Sequence, residues 1–66
     1  IDIDAEKQRI IKEIGYLEGF LKTVNLKLSN EKFVANAKPD VVANEKNKQA
    51  DAEAKLKTLQ ETLSSL

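Results

Sequence analysis

Two long apolar repeats in this 66-residue chain are separated by the stretch SNEKFVANAKPD, residues 29–40. The stretch contains the only proline, Pro39, whose missing N–H and fixed φ suit the first turn of a helix. The proline ring also disfavours helical geometry at Lys38, the residue before it. A break between two helices is therefore predicted here.

The residues ahead of the proline have the composition of a short helical tip rather than of an open loop. Ser29 or Asn30 can cap a short helical turn. Phe33 and Val34 would then fold over the end of the helix pair. We predict a compact tip of about two helical turns over residues 29–38.

On each side of this tip, apolar residues recur at alternating steps of three and four, as in coiled coils. The first repeat has one polar member and consists of Ile3, Lys7, Ile10, Ile14, Leu17, Leu21, Val24 and Leu28. The second has two polar members and consists of Val42, Glu45, Gln49, Ala52, Leu56, Leu59, Leu63 and Leu66. Because each stripe is too narrow to stabilise an isolated helix in water, the two are expected to pair.

Folding the chain back on itself places Leu28 opposite Val42 and Ile3 opposite Leu66. The sequence therefore predicts an all-α protein, an antiparallel two-helix coiled-coil hairpin with a short helical tip. One domain is expected over residues 1–66. Its helices are predicted at about 4–28 and about 39–66, on either side of the tip at 29–38.

Side chains in and beside the repeats are expected to support this pairing. Glu45 and Gln49 are polar at seam positions, and we expect them to bond polar groups of the tip and to fix the register. Phe20 and Ile11 flank the first repeat and are expected to cover the small Ala52.

Four residues on the outer faces have more than one interpretation. Tyr16 and Leu26 look exposed, and would either stack on a base, dock on a protein, or promote self-association. Gly15 and Gly19 interrupt a helix on its outer face. They either admit the close approach of a partner or are simply tolerated.

The composition excludes several classes of function. The chain has no Cys and no His, which removes disulfides, thiol chemistry and the usual zinc sites. A two-stranded coiled coil offers no pocket to shift the pKa of a carboxylate or lysine, so no catalytic site, metal or cofactor is expected. No apolar run approaches the ~20 residues that span a bilayer. The lack of Cys fits a cytoplasmic protein.

Charge is balanced in total but unevenly distributed. Residues 22–48 hold six lysines and three acidic residues, whereas the rest of the chain holds five basic and eight acidic residues. The tip end is thus basic and the open end acidic. Lysines attract nucleic-acid phosphates irrespective of sequence, although an ordinary solvated surface is the alternative interpretation.

The tip sequence resembles the C-terminal arm of valyl-tRNA synthetases over essentially the whole chain. The resemblance rests on Leu28-Ser29-Asn30-Glu31, Phe33-Val34, Ala37, Pro39, Val41-Val42 and Glu45. The opening at Ile1, which is not Met, also resembles the segment leading into that arm, so a fragment of a larger enzyme is expected. The resemblance implies an ATP-dependent ligase of protein biosynthesis whose catalytic and editing sites lie in other domains.

The resemblance further implies that the arm holds tRNA(Val) at its outer corner, where the D and T loops meet, and supports aminoacylation. The RNA-contacting residues that it implies in this chain are Lys22, Lys27, Asn30, Lys32, Lys38 and Lys46. Lys38 stands where typical members carry proline, and Asn44 and Asn47 replace more basic residues. The alternative function is a protein–protein or self-associating coiled-coil module, acting through Phe20, Tyr16 and Leu26.

Overall fold

A computed structural model of the chain describes residues 2–66. It contains three helices, α1 (Ile3–Ser29), α2 (Glu31–Asn36) and α3 (Pro39–Ser65), of which α1 and α3 pack against each other. The particle measures 50 × 14 × 14 Å. The predicted all-α hairpin with a short helical tip is confirmed. Ile1, which the predicted domain includes, lies outside the described residues.

The helix ends at the start of the chain and at the tip follow from local capping. The side chain of Asp2 accepts a hydrogen bond of 3.2 Å from the backbone N–H of Ala5 and caps α1. Asn30 ends α1 and caps α2, where its side-chain oxygen accepts bonds of 3.0 and 3.3 Å from the N–H groups of Lys32 and Phe33. Of the two caps that the sequence allowed, Asn30 is the one that the chain uses.

The proline sets the start of α3, as the sequence predicts. Lys38 has extended backbone angles, φ −63° and ψ 147°, and Pro39 is the first residue of the helix. No side chain caps this end, and Asp40 in the first turn supplies a negative charge near the positive end of the helix dipole. The start of α3 is therefore formed by the proline and by backbone N–H groups of Val41 and Val42 that donate to the carbonyl oxygen of Lys38, without a side-chain cap.

The core lies in the middle of the seam and thins towards both ends. Its buried apolar residues are Ile10, Leu17, Leu21, Val24 and Ala52, with Phe20, Leu56 and Leu59 packed against the cluster around Ala52. At the open end Ile3 is 51% exposed and Leu66 is 42% exposed. Among residues 2–66, no helix has the length and apolar character to cross a membrane.

Two expectations about flanking side chains need correction. Phe20 packs beside Ala52 as predicted, but Ile11 is 48% exposed and does not cover it. Successive residues of a helix are rotated by about 100° about its axis. Because Ile10 faces the seam and is fully buried, the side chain of Ile11 faces away from the seam. At the tip Phe33 is half-buried, whereas Val34 remains 41% exposed and leaves the end of the seam partly open.

Gly15 and Gly19 face open space, and their replacement is expected to stabilise the hairpin. A Cβ atom placed on either residue meets no neighbouring atom within 4 Å. Because glycine weakens a helix relative to alanine, Gly15→Ala and Gly19→Ala should each raise the free energy of unfolding by about 1 kcal/mol. Thermal unfolding followed by circular dichroism should show a midpoint about 4–8 °C higher for each.

The same two variants separate the two interpretations of the glycines. If the glycines admit the backbone of a partner, the stabilised variants should bind that partner less well. Unchanged binding together with a higher midpoint would mean that the glycines are simply tolerated. A lower midpoint would contradict the open surroundings that the structure gives them.

Candidate nucleic-acid interface

The hairpin brings all the predicted contact residues to one end. At a rise of 1.5 Å per residue, Lys22 on α1 and Lys46 on α3 each lie about 10 Å from the helix end at the tip. All six predicted residues are exposed, namely Lys22, Lys27, Asn30, Lys32, Lys38 and Lys46. We refer to residues 22–48 as the basic end of the hairpin.

The three acidic residues of the basic end are outnumbered by its six lysines, and one of the three is buried. Glu31 and Asp40 lie in the first turns of α2 and α3, where the helix dipole favours a negative charge. Glu45 is the only buried charged residue in the described part of the chain, at 7% exposure. The lysines consequently dominate the charge that this end presents to solvent.

Glu45 joins the two long helices through two lysines. Its Oε1 atom lies 3.7 Å from Nζ of Lys27 on α1 and 3.6 Å from Nζ of Lys48 on its own helix. The expectation that Glu45 bonds the tip was wrong. Glu45 lies nearly two turns from the start of α3, within reach of Lys27 on α1, a partner that the sequence pattern does not identify.

Lys27 thus forms an ion pair within the protein, and its side chain is also accessible to a ligand. Its side chain is 50% exposed while that of Glu45 is 9% exposed. A pair with one half-exposed partner is screened by water and contributes about 0–1 kcal/mol to stability. Removing Lys27 therefore alters both the surface charge and the surroundings of Glu45.

Gln49 also bonds across the seam rather than to the tip. Its side-chain N–H group donates a hydrogen bond to the side-chain oxygen of Asn25 on α1. The predicted role in fixing the register fits this bond, but the predicted partner was wrong. Asn25 lies outside the apolar repeat of α1, which is why the sequence pattern did not single it out.

Asn30 has a structural role that is separable from RNA binding. Because its side chain caps α2, Asn30→Ala should cost about 1 kcal/mol of stability. Asn30→Asp keeps the capping oxygen and should retain that stability. Urea unfolding of the two variants measures the difference, and equal losses would contradict the capping role.

The tip also carries an apolar groove that the sequence did not single out. Its volume is about 530 Å³, and its lining residues are Val34, Ala35, Ala37, Pro39, Val42, Ala43 and Lys46. Small side chains on both sides of the turn keep this surface shallow. The signal in the sequence is the recurrence of alanine on both sides of Pro39, at positions 35, 37 and 43, which offers apolar area without bulk.

The exposed apolar side chains of α1 do not form one patch. Tyr16 is 72% exposed and lines a groove with Phe20 and Lys48. Leu26 is 66% exposed and lines a different groove with Glu18 and Lys22. The surface proposed for protein docking is therefore divided between two grooves.

None of the six predicted RNA-contacting residues lies at the open end. There Arg9 donates a hydrogen bond to Glu6, and this bond and the charge of the carboxylate raise the pKa of Arg9. Arginine is already protonated at neutral pH, so no pH dependence follows. No group of three potential metal ligands occurs in the described part of the chain.

Comparison with known proteins places this arrangement in a family. The family described as "Valyl tRNA synthetase tRNA binding arm" matches residues 2–66. This class of protein is a helical RNA-binding appendage, and its match covers the repeats, the tip and the basic end alike. The chain belongs to the family of valyl-tRNA synthetase tRNA-binding arms.

Relatives from bacteria show how the chain relates to longer proteins. It is 59% identical over all 66 residues to a valine–tRNA ligase of Christiangramia forsetii and 52% identical to one of Bacteroides fragilis. A valine–tRNA ligase of Agrobacterium fabrum is 43% identical over 63 residues. The chain spans only 8% of the length of the first two proteins and 7% of the third. No solved structure matches the chain.

Proposed function

We propose that this chain is the arm by which a valine–tRNA ligase grips the outer corner of tRNA(Val), where the D and T loops meet. The observation that carries the proposal is the convergence of exposed lysines from α1, α2 and α3 at one end of a family member. Aminoacylation, with its requirement for ATP, belongs in this proposal to the remaining domains of the ligase. The chain supplies affinity and orientation.

The shape of the hairpin suits this task. A body 50 Å long and 14 Å wide presents the basic end at a distance from whatever holds the open end. Lysines attract the phosphates, and the shallow apolar groove beside Lys46 offers a surface for an exposed nucleobase. Recognition of this kind reads the shape of folded RNA rather than a base sequence.

Salt dependence of tRNA affinity tests the proposal. If the lysines of the basic end make about four phosphate contacts, affinity should fall about 100-fold between roughly 50 and 200 mM salt, because counterions are released on binding. An unrelated RNA hairpin of similar length should bind more weakly than folded tRNA(Val) at each salt concentration. Equal affinity for both RNAs would contradict recognition of the tRNA corner.

Self-association or docking on a protein is the second candidate function, and the exposure of Tyr16 and Leu26 favours it. Phe20 packs against the core, so Phe20→Lys would damage the fold and would not report on an interface. Tyr16→Lys is the better variant. Sedimentation at micromolar concentration discriminates between the two candidate functions. A chain that is dimeric, becomes monomeric on Tyr16→Lys and has no affinity for RNA would support this second candidate.

We also propose a cytoplasmic location, and a chain that works without a cofactor or metal of its own. Both parts of the proposal come from the sequence, which lacks Cys and His. Adding a chelator should leave the helicity and the RNA affinity unchanged.

A further inference from the structure

Two lysines from different helices converge on a single buried oxygen in the basic end. Nζ of Lys27 lies 3.7 Å and Nζ of Lys48 lies 3.6 Å from the same Oε1 atom of Glu45. The lysine side chains are 50% and 57% exposed, whereas the glutamate side chain is 9% exposed. The carboxylate is therefore buried, while both lysine side chains that pair with it remain accessible to solvent.

One lysine is enough to balance one carboxylate. The second leaves a positive charge in excess, and both ammonium groups are held near each other by their shared oxygen. Exposed lysine pairs contribute little to stability, so the second lysine is not needed for the fold. A pair that is already positioned loses less side-chain entropy when it binds an anion.

We infer that Lys27 and Lys48 form a two-lysine site for one phosphate group of the RNA backbone, with Glu45 as its resident counter-ion. The inference rests on the proposed function and adds to it a residue, Lys48, that the resemblance to the family did not supply. Lys48 lies about 14 Å along α3 from Pro39. The surface that would contact RNA therefore extends from the tip along the paired helices α1 and α3. Lys48 also lines a groove together with Tyr16, Phe20 and Asp51.

Neutral variants of single lysines test the site. Lys48→Gln should weaken the affinity of the chain for folded tRNA about three- to tenfold at low salt and reduce the salt slope by about one. Lys57→Gln, on the same helix near the open end, is the matched control and should change neither. Circular dichroism of both variants verifies that the hairpin is folded.

Replacement of the counter-ion, Glu45, provides a second and independent test of the site. Glu45→Gln has nearly the same shape but frees both ammonium groups, and should strengthen tRNA binding about two- to fivefold. In the double variant Lys27→Gln/Lys48→Gln, the same change at Glu45 should have only the small effect of the altered net charge. Glu53→Gln, an exposed change of equal charge on α3, should strengthen binding less.

The outcomes separate the site from the proposed function. Suppose that the unaltered chain binds tRNA but Lys48→Gln has no more effect than Lys57→Gln. The ion pairs of Lys27 and Lys48 with Glu45 would then be only structural, so the inference would fail while the proposed function would stand. If the unaltered chain has no tRNA affinity at low salt, both fail. Loss at Lys48 together with gain at Glu45 supports the site.

Discussion

Ile10→Ala is expected to unfold the hairpin, while the same replacement at the adjacent Ile11 leaves it folded. Ile10 is 1% exposed and is the only large side chain in the described part of the chain that is fully buried. Truncating such a residue costs about 2–5 kcal/mol, because both burial and packing are lost. A core of this size rarely supplies more than about 3–5 kcal/mol in total, so little stability would remain.

Ile11 is a matched control, since it has the same side chain and the same helix but is 48% exposed. Alanine also has the higher helix propensity, so Ile11→Ala should stay within about 0.5 kcal/mol of the unaltered chain. Helicity at 222 nm during urea titration measures both variants. Similar losses of stability at the two positions would contradict the placement of Ile10 in the seam and of Ile11 outside it.

Charge reversal at Lys32 is expected to have the largest effect on RNA binding of any single surface change. Lys32 is exposed in the first turn of α2, and no ion pair engages it in the described residues, unlike Lys27. Lys32→Glu places a repulsive charge at the tip and should weaken tRNA binding about tenfold or more at low salt. A glutamate is favourable near a helix N-terminus, so α2 should remain folded.

Lys57→Glu provides the control for this charge reversal. Lys57 is exposed on α3 near the open end, outside the basic end. Its reversal changes the net charge of the chain by the same amount and should weaken binding about twofold or less, because screening limits its reach. Fluorescence anisotropy with labelled tRNA at low and moderate salt measures both. Equal weakening would show that only net charge matters.

The architecture could be predicted because its determinants are local. The apolar repeats determine which face of each helix is buried, and Pro39 marks where the second helix begins. Asn30 has the chemistry of a cap and acts as one. These features depend on residues within a turn or two of each other, so the sequence carries them directly.

The partners of polar side chains could not be predicted in the same way. Which lysine reaches Glu45 depends on the rotation of α1 against α3, and Gln49 finds Asn25 for the same reason. The clustering of lysines near the tip could be predicted, because it requires only that the chain folds back as a hairpin. Lys48 was counted in the charge of that end but not as a contact, although its spacing of three from Glu45 indicates an ion pair.

The most direct test of the basic end as the RNA-binding surface is an NMR titration of the isotope-labelled chain. Folded tRNA(Val) and an unrelated RNA hairpin would be added separately at low salt. Binding through the basic end predicts chemical-shift changes that are concentrated in residues 22–48 and are larger with the tRNA than with the hairpin. Changes spread evenly over both ends of the chain, or no changes with the tRNA, would contradict it.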